Sequence, residues 1–196
     1  MRMPFLSWVL GLAGLLALAS CAATTQTETT SDTAFSPSNA VFAISENAAG
    51  PITPQTPYSV ETLKGLFPGF SFDTVQTMTN GTVTYLLTGF DKDGFQAFQV
   101  EPAPGRKSIA SVQVVGPAGE GPHGETIGMT FVEASGRRMD CNAGSGDWTG
   151  LAICTRGHSN IHYIFAPEAY LGPSGKLPTG DDLLNAHLVR IVWRPK

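Results

Sequence analysis

Residues 70–115 read FSFDTVQTMTNGTVTYLLTGFDKDGFQAFQVEPAPGRKSIASVQVV, and the spacing of apolar and turn residues in this stretch decides the fold. Phe70 to Thr77 is expected to be a strand. Asn80-Gly81 is the strongest short hairpin signal in the chain, because a tight turn that matches strand twist needs positive φ at its central residues. Val83, Tyr85 and Leu87 then alternate with polar neighbours, the period of a second strand. Asp91-Lys92-Asp93-Gly94 makes the next turn, into a strand from Phe95 to Val100. After the loop EPAPGRK, Ile109 to Val115 reads as a fourth strand, so this stretch is an antiparallel meander.

Upstream, Thr56-Pro57 opens a helix, with the hydroxyl as N-cap and Pro57 in the first turn, where its missing N–H costs nothing. Val60, Leu63 and Phe67 share one helical face, and Pro68-Gly69 ends it. Downstream, Gly116 to Thr126 is a Gly/Pro-rich connection. Thr130-x-x-Glu133 has capping-box spacing, with Gly136 where a short helix would end. Short strands follow at Met139–Asn142, Leu151–Thr155 and Ile161–Phe165. Thr179-x-x-Asp182 is a second capping pattern, opening a single helical turn. In the closing strand, Leu188 to Trp193, the side chains of Val189, Ile191 and Trp193 share one face, and Arg190 and Arg194 lie on the other. The expected class is a single α+β domain with a mostly antiparallel sheet and about three short helices.

The chain begins MRMPFLSWVLGLAGLLALASCAA: basic Arg2, an apolar run from Phe5 to Ala19, then small residues before Cys21. These are the three zones of a secretory signal, and the run is shorter than the roughly 20 residues of a spanning helix. Leu18-Ala19-Ser20-Cys21 resembles the lipobox of bacterial lipoproteins, in which the Cys21 thiol takes a diacylglyceryl group after cleavage at residue 20. Ala22 follows in place of an inner-membrane retention Asp, which points to the outer membrane. Several acyl chains, each buried methylene contributing about 0.8 kcal/mol, anchor without spanning. Residues 21–49, rich in Thr, Ser and Ala, read as the lipidated cysteine and a flexible tether, although Val41, Phe42 and Ile44 suit a short edge strand of the domain. The domain itself is assigned to 50–196.

Across its 196 residues the chain has 12 Lys+Arg against 16 Asp+Glu, a net charge of -4, so it lacks the concentrated basic face that nucleic acid requires. Export places Cys141 and Cys154 in an oxidising compartment, with Cys21 consumed by lipid and no CxxC metal spacing. The two are expected to form a disulfide. His158-x-x-x-His162 has the spacing of a helical zinc pair, but Ser159 stands where a zinc protease carries Glu. The second His falls on a strand, where residues four apart are about 13 Å from each other, too far for one ion. Asp91-x-Asp93-Gly94 lacks the remaining ligands of a calcium loop and is better read as a turn. Ser145 and Ser174 lie among glycines without nucleophile-elbow spacing, and Gly175-Lys176 is not a phosphate loop. Asp147 and Trp148, in the loop between the cysteines, are candidate partner contacts. Trp148 either presents an exposed aromatic or folds back onto the sheet. No metal or cofactor is implied.

The run Gly172-Pro173-x-Gly175-x-Leu177-Pro178-x-x-Asp181-Asp182-x-Leu184, followed by Val189-x-Ile191-Val192-Trp193-Arg194, resembles the end of the RpoE-regulated lipoprotein family, a bacterial family of unknown function. Ile161-x-Tyr163-x-Phe165, the Cys141/Cys154 pair, Ile127-Gly128-x-Thr130 and Thr56-Pro57 have counterparts in the same order, so the likeness covers roughly residues 52–196. It implies an envelope lipoprotein controlled by envelope stress and carries no catalytic residues with it. The expected function is therefore a lipid-anchored, non-catalytic binding or structural domain. Its partner would be an outer-membrane protein, lipid or peptidoglycan. The alternative is a periplasmic hydrolase or other enzyme with a site around His123, His158, Asp140 or Asp147.

Overall fold

The computed structural model describes residues 42–79, 81–169, 172–173 and 175–196. The leader 1–20, Cys21, the first part of the tether, Val41, Asn80 and Ser174 lie outside the described residues. The expected meander forms from β2 (Ser71–Thr79), β3 (Thr82–Phe90), β4 (Gln96–Pro102) and β5 (Ile109–Val114). The ladder between the first two runs from Ser71 opposite Phe90 to Thr79 opposite Thr82. At the second turn the Asp91 carboxylate accepts from the backbone N–H groups of Asp93 and Phe95, each at 2.9 Å. That is a side-chain-capped turn.

A second meander follows: β7 (Asp140–Ala143), β8 (Ala152–Thr155), β9 (Ile161–Ala166) and β10 (His187–Trp193). The two meanders join through their last strands, giving one eight-stranded sheet in the order β2-β3-β4-β5-β10-β9-β8-β7. Every neighbouring pair in it is antiparallel. The closing strand is thus central to the sheet although it comes last in the chain.

Residues 42–49 belong to the fold, which corrects a tether drawn to residue 49. β1 (Phe42–Ala43) pairs in parallel with β6 (Gly119–Glu120), and Phe42, Ile44 and Ala49 are buried. The carbonyl of Glu46 accepts from the Asn160 amide at 2.9 Å and from the Trp193 indole N–H at 3.3 Å. Those bonds seat this segment on the end of β10 and satisfy the indole inside the core.

α1 (Val60–Leu66) forms where the apolar spacing predicts, but its cap is Ser59, whose hydroxyl accepts from Thr62 N–H at 3.1 Å. Thr56 is instead used in the preceding turn, where its hydroxyl accepts from Thr53 N–H. Leu63 and Phe67 turn inward to an aromatic cluster, with the Phe67 and Phe98 rings 4.7 Å apart and Phe42 5.4 Å from Phe98. Gly89 makes room for it: a Cβ there would lie 2.8 Å from the Phe98 ring. The expected count of about three helices is corrected to two among the described residues, α1 and α2 (Asp181–Leu184), with 3-10 turns at Gly136–Arg138 and Gly146–Trp148. The Thr130–Glu133 capping box is present, Thr130 N–H to the Glu133 carboxylate at 2.7 Å and Glu133 N–H to the Thr130 hydroxyl at 3.2 Å, but it caps irregular turns. Gly136 begins the 3-10 turn there instead of ending a helix. α2 is capped by Gly180 without a side-chain bond, so Thr179 does not serve.

β10 departs from strict alternation. A register shift between Leu188 and Arg190 marks a bulge, after which Ile191 faces the same side as Leu188. The core stripe is therefore Leu188, Ile191 and Trp193, each fully buried, and Val189 drops out of it. Arg190 and Arg194 take the other face, as expected.

Candidate functional site

The face of the sheet opposite the core is only partly open to water. By register, Thr88, Gln99, Gln113, Val192, His162 and Thr155 form one row across β3, β4, β5, β10, β9 and β8. Thr88 and Val192 are buried and the other four half-buried. Beside this row, Ile164 and Leu86 are also buried, although neither belongs to the main core. Side chains on an open flat sheet would be exposed, so something must cover them.

The cover is the sheet itself together with one loop. Laid flat, eight strands would hold β2 and β7 about 34 Å apart, at ~4.8 Å per gap. Yet Thr77 on β2 and Trp148, in the loop that leaves β7, line the same cavity, of about 360 Å³. The sheet is therefore curled, and its ends approach across a groove. A second compartment, about 220 Å³, lies on the other side of Trp148 against Ile153, His162 and Ile164. Trp148 is half-buried and lines both, as does Asp147, so the indole is folded back over the sheet.

Two local features hold the Trp148 loop there. Cys141 and Cys154 are directly opposite in the β7–β8 ladder and are joined as a disulfide. At Gly144 the chain passes so close to the Trp148 carbonyl that a Cβ would collide with it, and only glycine fits.

Arg190 is at the centre of the groove. Its Nη1 donates to the amide oxygens of Gln99 at 3.1 Å and Gln113 at 3.2 Å, and it has no ion-pair partner among the described residues. Burial lowers its pKa from the ordinary guanidinium value. His162, in the adjoining compartment, has its pKa lowered by burial and by the Arg194 charge, so its imidazole is neutral at physiological pH. Glu101 accepts from the Ser111 hydroxyl at 2.9 Å on the groove's wall.

The other sequence candidates are dispersed. His123 lies on the core side of the sheet, in a cavity of about 90 Å³ with Glu125 and Arg156. Glu125, 2% exposed, accepts from Arg156 at 2.9 Å through one oxygen and from His123 N–H at 3.0 Å through the other. Arg156 also donates to the Ala134 carbonyl, so the cluster ties the 119–135 connection to β8. Tyr163 packs beneath the guanidinium, and its hydroxyl pKa is raised by burial first and then by Glu125. His158 is exposed in the turn between β8 and β9, and Asp140 is exposed on the edge strand β7. Asp140 pairs with Thr155 and Thr155 with His162, which separates the acid from the imidazole by two strand spacings, about 10 Å. No set of three His, Cys, Asp or Glu residues suited to a metal occurs among the described residues.

Sequence reasoning placed Arg190 on the non-core face but did not assign it a site. The available signal was an arginine in the middle of an apolar closing strand. Gln99 and Gln113 were not among the sequence candidates.

Residues 29–195 match the family described as "Protein of unknown function (DUF1131)". Among solved structures, the chain is similar to the crystal structure of the uncharacterized protein yfeY from Escherichia coli. The TM-score is 0.60 at 22% identity, over 78% of this chain and 98% of that one. That likeness shows the fold alone. No curated protein matches the sequence.

Proposed function

The chain belongs to the DUF1131 family, and from that premise we propose that it is a non-catalytic binding protein of the cell envelope, anchored by lipid on Cys21 to the outer membrane and facing the periplasm. The observation that carries the binding reading is the groove: a curled sheet face with a half-buried arginine at its centre and an indole folded across it. The anchor is supported by the three-zone leader and its Leu-Ala-Ser-Cys ending. Service under envelope stress is supported by the resemblance to RpoE-regulated lipoproteins. A partner drawn from the envelope, whether outer-membrane protein, lipid or peptidoglycan, is in keeping with both.

The competing reading is a periplasmic hydrolase, which requires a base and a nucleophile within hydrogen-bond reach of one substrate. His123 and Asp147 line cavities on opposite faces of the sheet, and His158 and Asp140 are exposed on separate elements. A genetic comparison tests the choice. In a strain lacking the chain, envelope-stress tolerance is to be restored by His123→Ala, His158→Ala and Asp140→Ala variants, but not by Leu86→Arg or Val192→Arg, which fill the groove. Loss of function in one of the first three, with secretion and melting temperature intact, would replace the binding reading with the enzyme. Full function in a folded groove-filled variant would remove the groove from the mechanism.

A further inference from the structure

The polar centre of the groove is made of donors. Arginine has no acceptor, so the two amides that meet Nη1 must turn their oxygens toward it. Their NH2 groups then point elsewhere, and neither has a protein partner among the described residues. The Nε and Nη2 groups of Arg190 likewise have no partner among the described residues, and none of these nitrogens is sealed off from the cavity. A half-buried guanidinium with one edge fixed and the other free is prepared for a planar, two-oxygen acceptor.

Charge and lining narrow the ligand further. Arg190 and Arg194 face Glu101 and Asp147 in the same compartment, so its formal charge is balanced before anything binds. An entering anion leaves the compartment negative by its own charge, two for a dianion and one for a monoanion, so a monoanion on the Arg190 fork is opposed less. Around the fork the walls are Leu86, Val192 and Trp148, continuing past the indole to Ile153 and Ile164. An extended peptide would bury N–H groups against these walls without acceptors. An alkyl chain has no such groups to satisfy.

We propose that the groove binds an amphiphilic monocarboxylate of the fatty-acid type, with its two oxygens on the Nε–Nη2 edge of Arg190 and its chain along Trp148 and Val192. This rests on the groove being the binding surface, and it adds the class of ligand.

The test uses residues 22–196, the mature chain without its leader and lipid-bearing cysteine, so that no detergent competes, and titrates it calorimetrically with dodecanoate, dodecanol and dodecyl phosphate below their aggregation limits. The expected result is one site per chain, with dodecanoate bound at least ten-fold more tightly than either of the others. That comparison needs no change in the groove. Arg190→Gln is expected to bring dodecanoate down to the affinity of dodecanol while leaving dodecanol unchanged, and Arg190→Lys to recover only part of the loss. Equal binding of dodecanoate and dodecanol would overturn the carboxylate site while leaving an apolar groove standing. Tighter binding of dodecyl phosphate would assign the fork to a phosphate and likewise overturn the proposal. Absence of all three from the folded protein would overturn it outright, and with the genetic result intact would direct attention to a protein partner for the same face.

Discussion

At the scale of single residues, charge placement is explained by which partner each buried group can reach. Glu125 is tolerated almost without exposure because both carboxylate oxygens have donors, one from a guanidinium and one from a backbone N–H. His162 has no such support, so burial and the neighbouring Arg194 disfavour its protonated form, moving its pKa down from 6.5. The sign of the consequence is fixed by linkage. Between the folded pKa and 6.5 the unfolded chain binds more protons than the folded one, so His162 favours folding above 6.5 and loses that contribution as the pH falls through the window. Melting temperatures compared at pH 7 and pH 5 are expected to drop less in His162→Gln than in the native sequence. An equal drop in both would mean that the imidazole is not desolvated in the groove.

At the scale of elements, the β7–β8 hairpin shows a covalent tie doing what a two-stranded edge cannot do alone. Four-residue strands at a sheet edge bury little, and the loop between them carries a half-buried indole that must stay over the groove. The cross-strand disulfide closes a loop for which the chain-entropy estimate is about 3 kcal/mol. Replacing Cys141 and Cys154 together by Ala is expected to cost about that much in urea unfolding, and to increase quenching of Trp148 fluorescence by acrylamide. Unchanged stability would show that the hairpin is held by packing alone. The pairing was legible in the sequence because, once Cys21 is read as the lipid site, two cysteines remain. The exact cap of α1 was not, because Thr56 and Ser59 have equivalent side-chain chemistry and only packing of the preceding turn decides which one faces the first N–H groups.

At the scale of the whole molecule, the sheet is two meanders joined, among the described residues, by the ladder of β5 with β10. The closing strand therefore links the halves, fills the core with Trp193 and supplies Arg190 to the groove. Removing residues 186–196 is expected to abolish cooperative thermal unfolding, whereas Trp193→Ala, leaving the ladder intact, is expected to retain it at a cost of about 3 to 5 kcal/mol. A truncated chain with an unaltered transition would contradict the central position of β10.

The sequence by itself determined nearly every strand of the large sheet and the first antiparallel meander, because these follow from local periods: two along a strand, three to four along a helix, glycine and asparagine or aspartate at the turns. Trp148 was visible as a residue with two open fates, exposed or folded back. The pairing of β5 with β10, the bulge that exchanges Val189 for Leu188 and the curl that turns a polar face into a groove were decided only in three dimensions. Each depends on contacts between residues far apart in the chain, such as Arg190 with Gln99 and Trp193 with Glu46, whose free energy no local pattern records. Gln99 and Gln113 gave no local signal of a site for the same reason: alternation says which side of a strand a residue takes, and only the closure of the whole sheet says whether that side is wet.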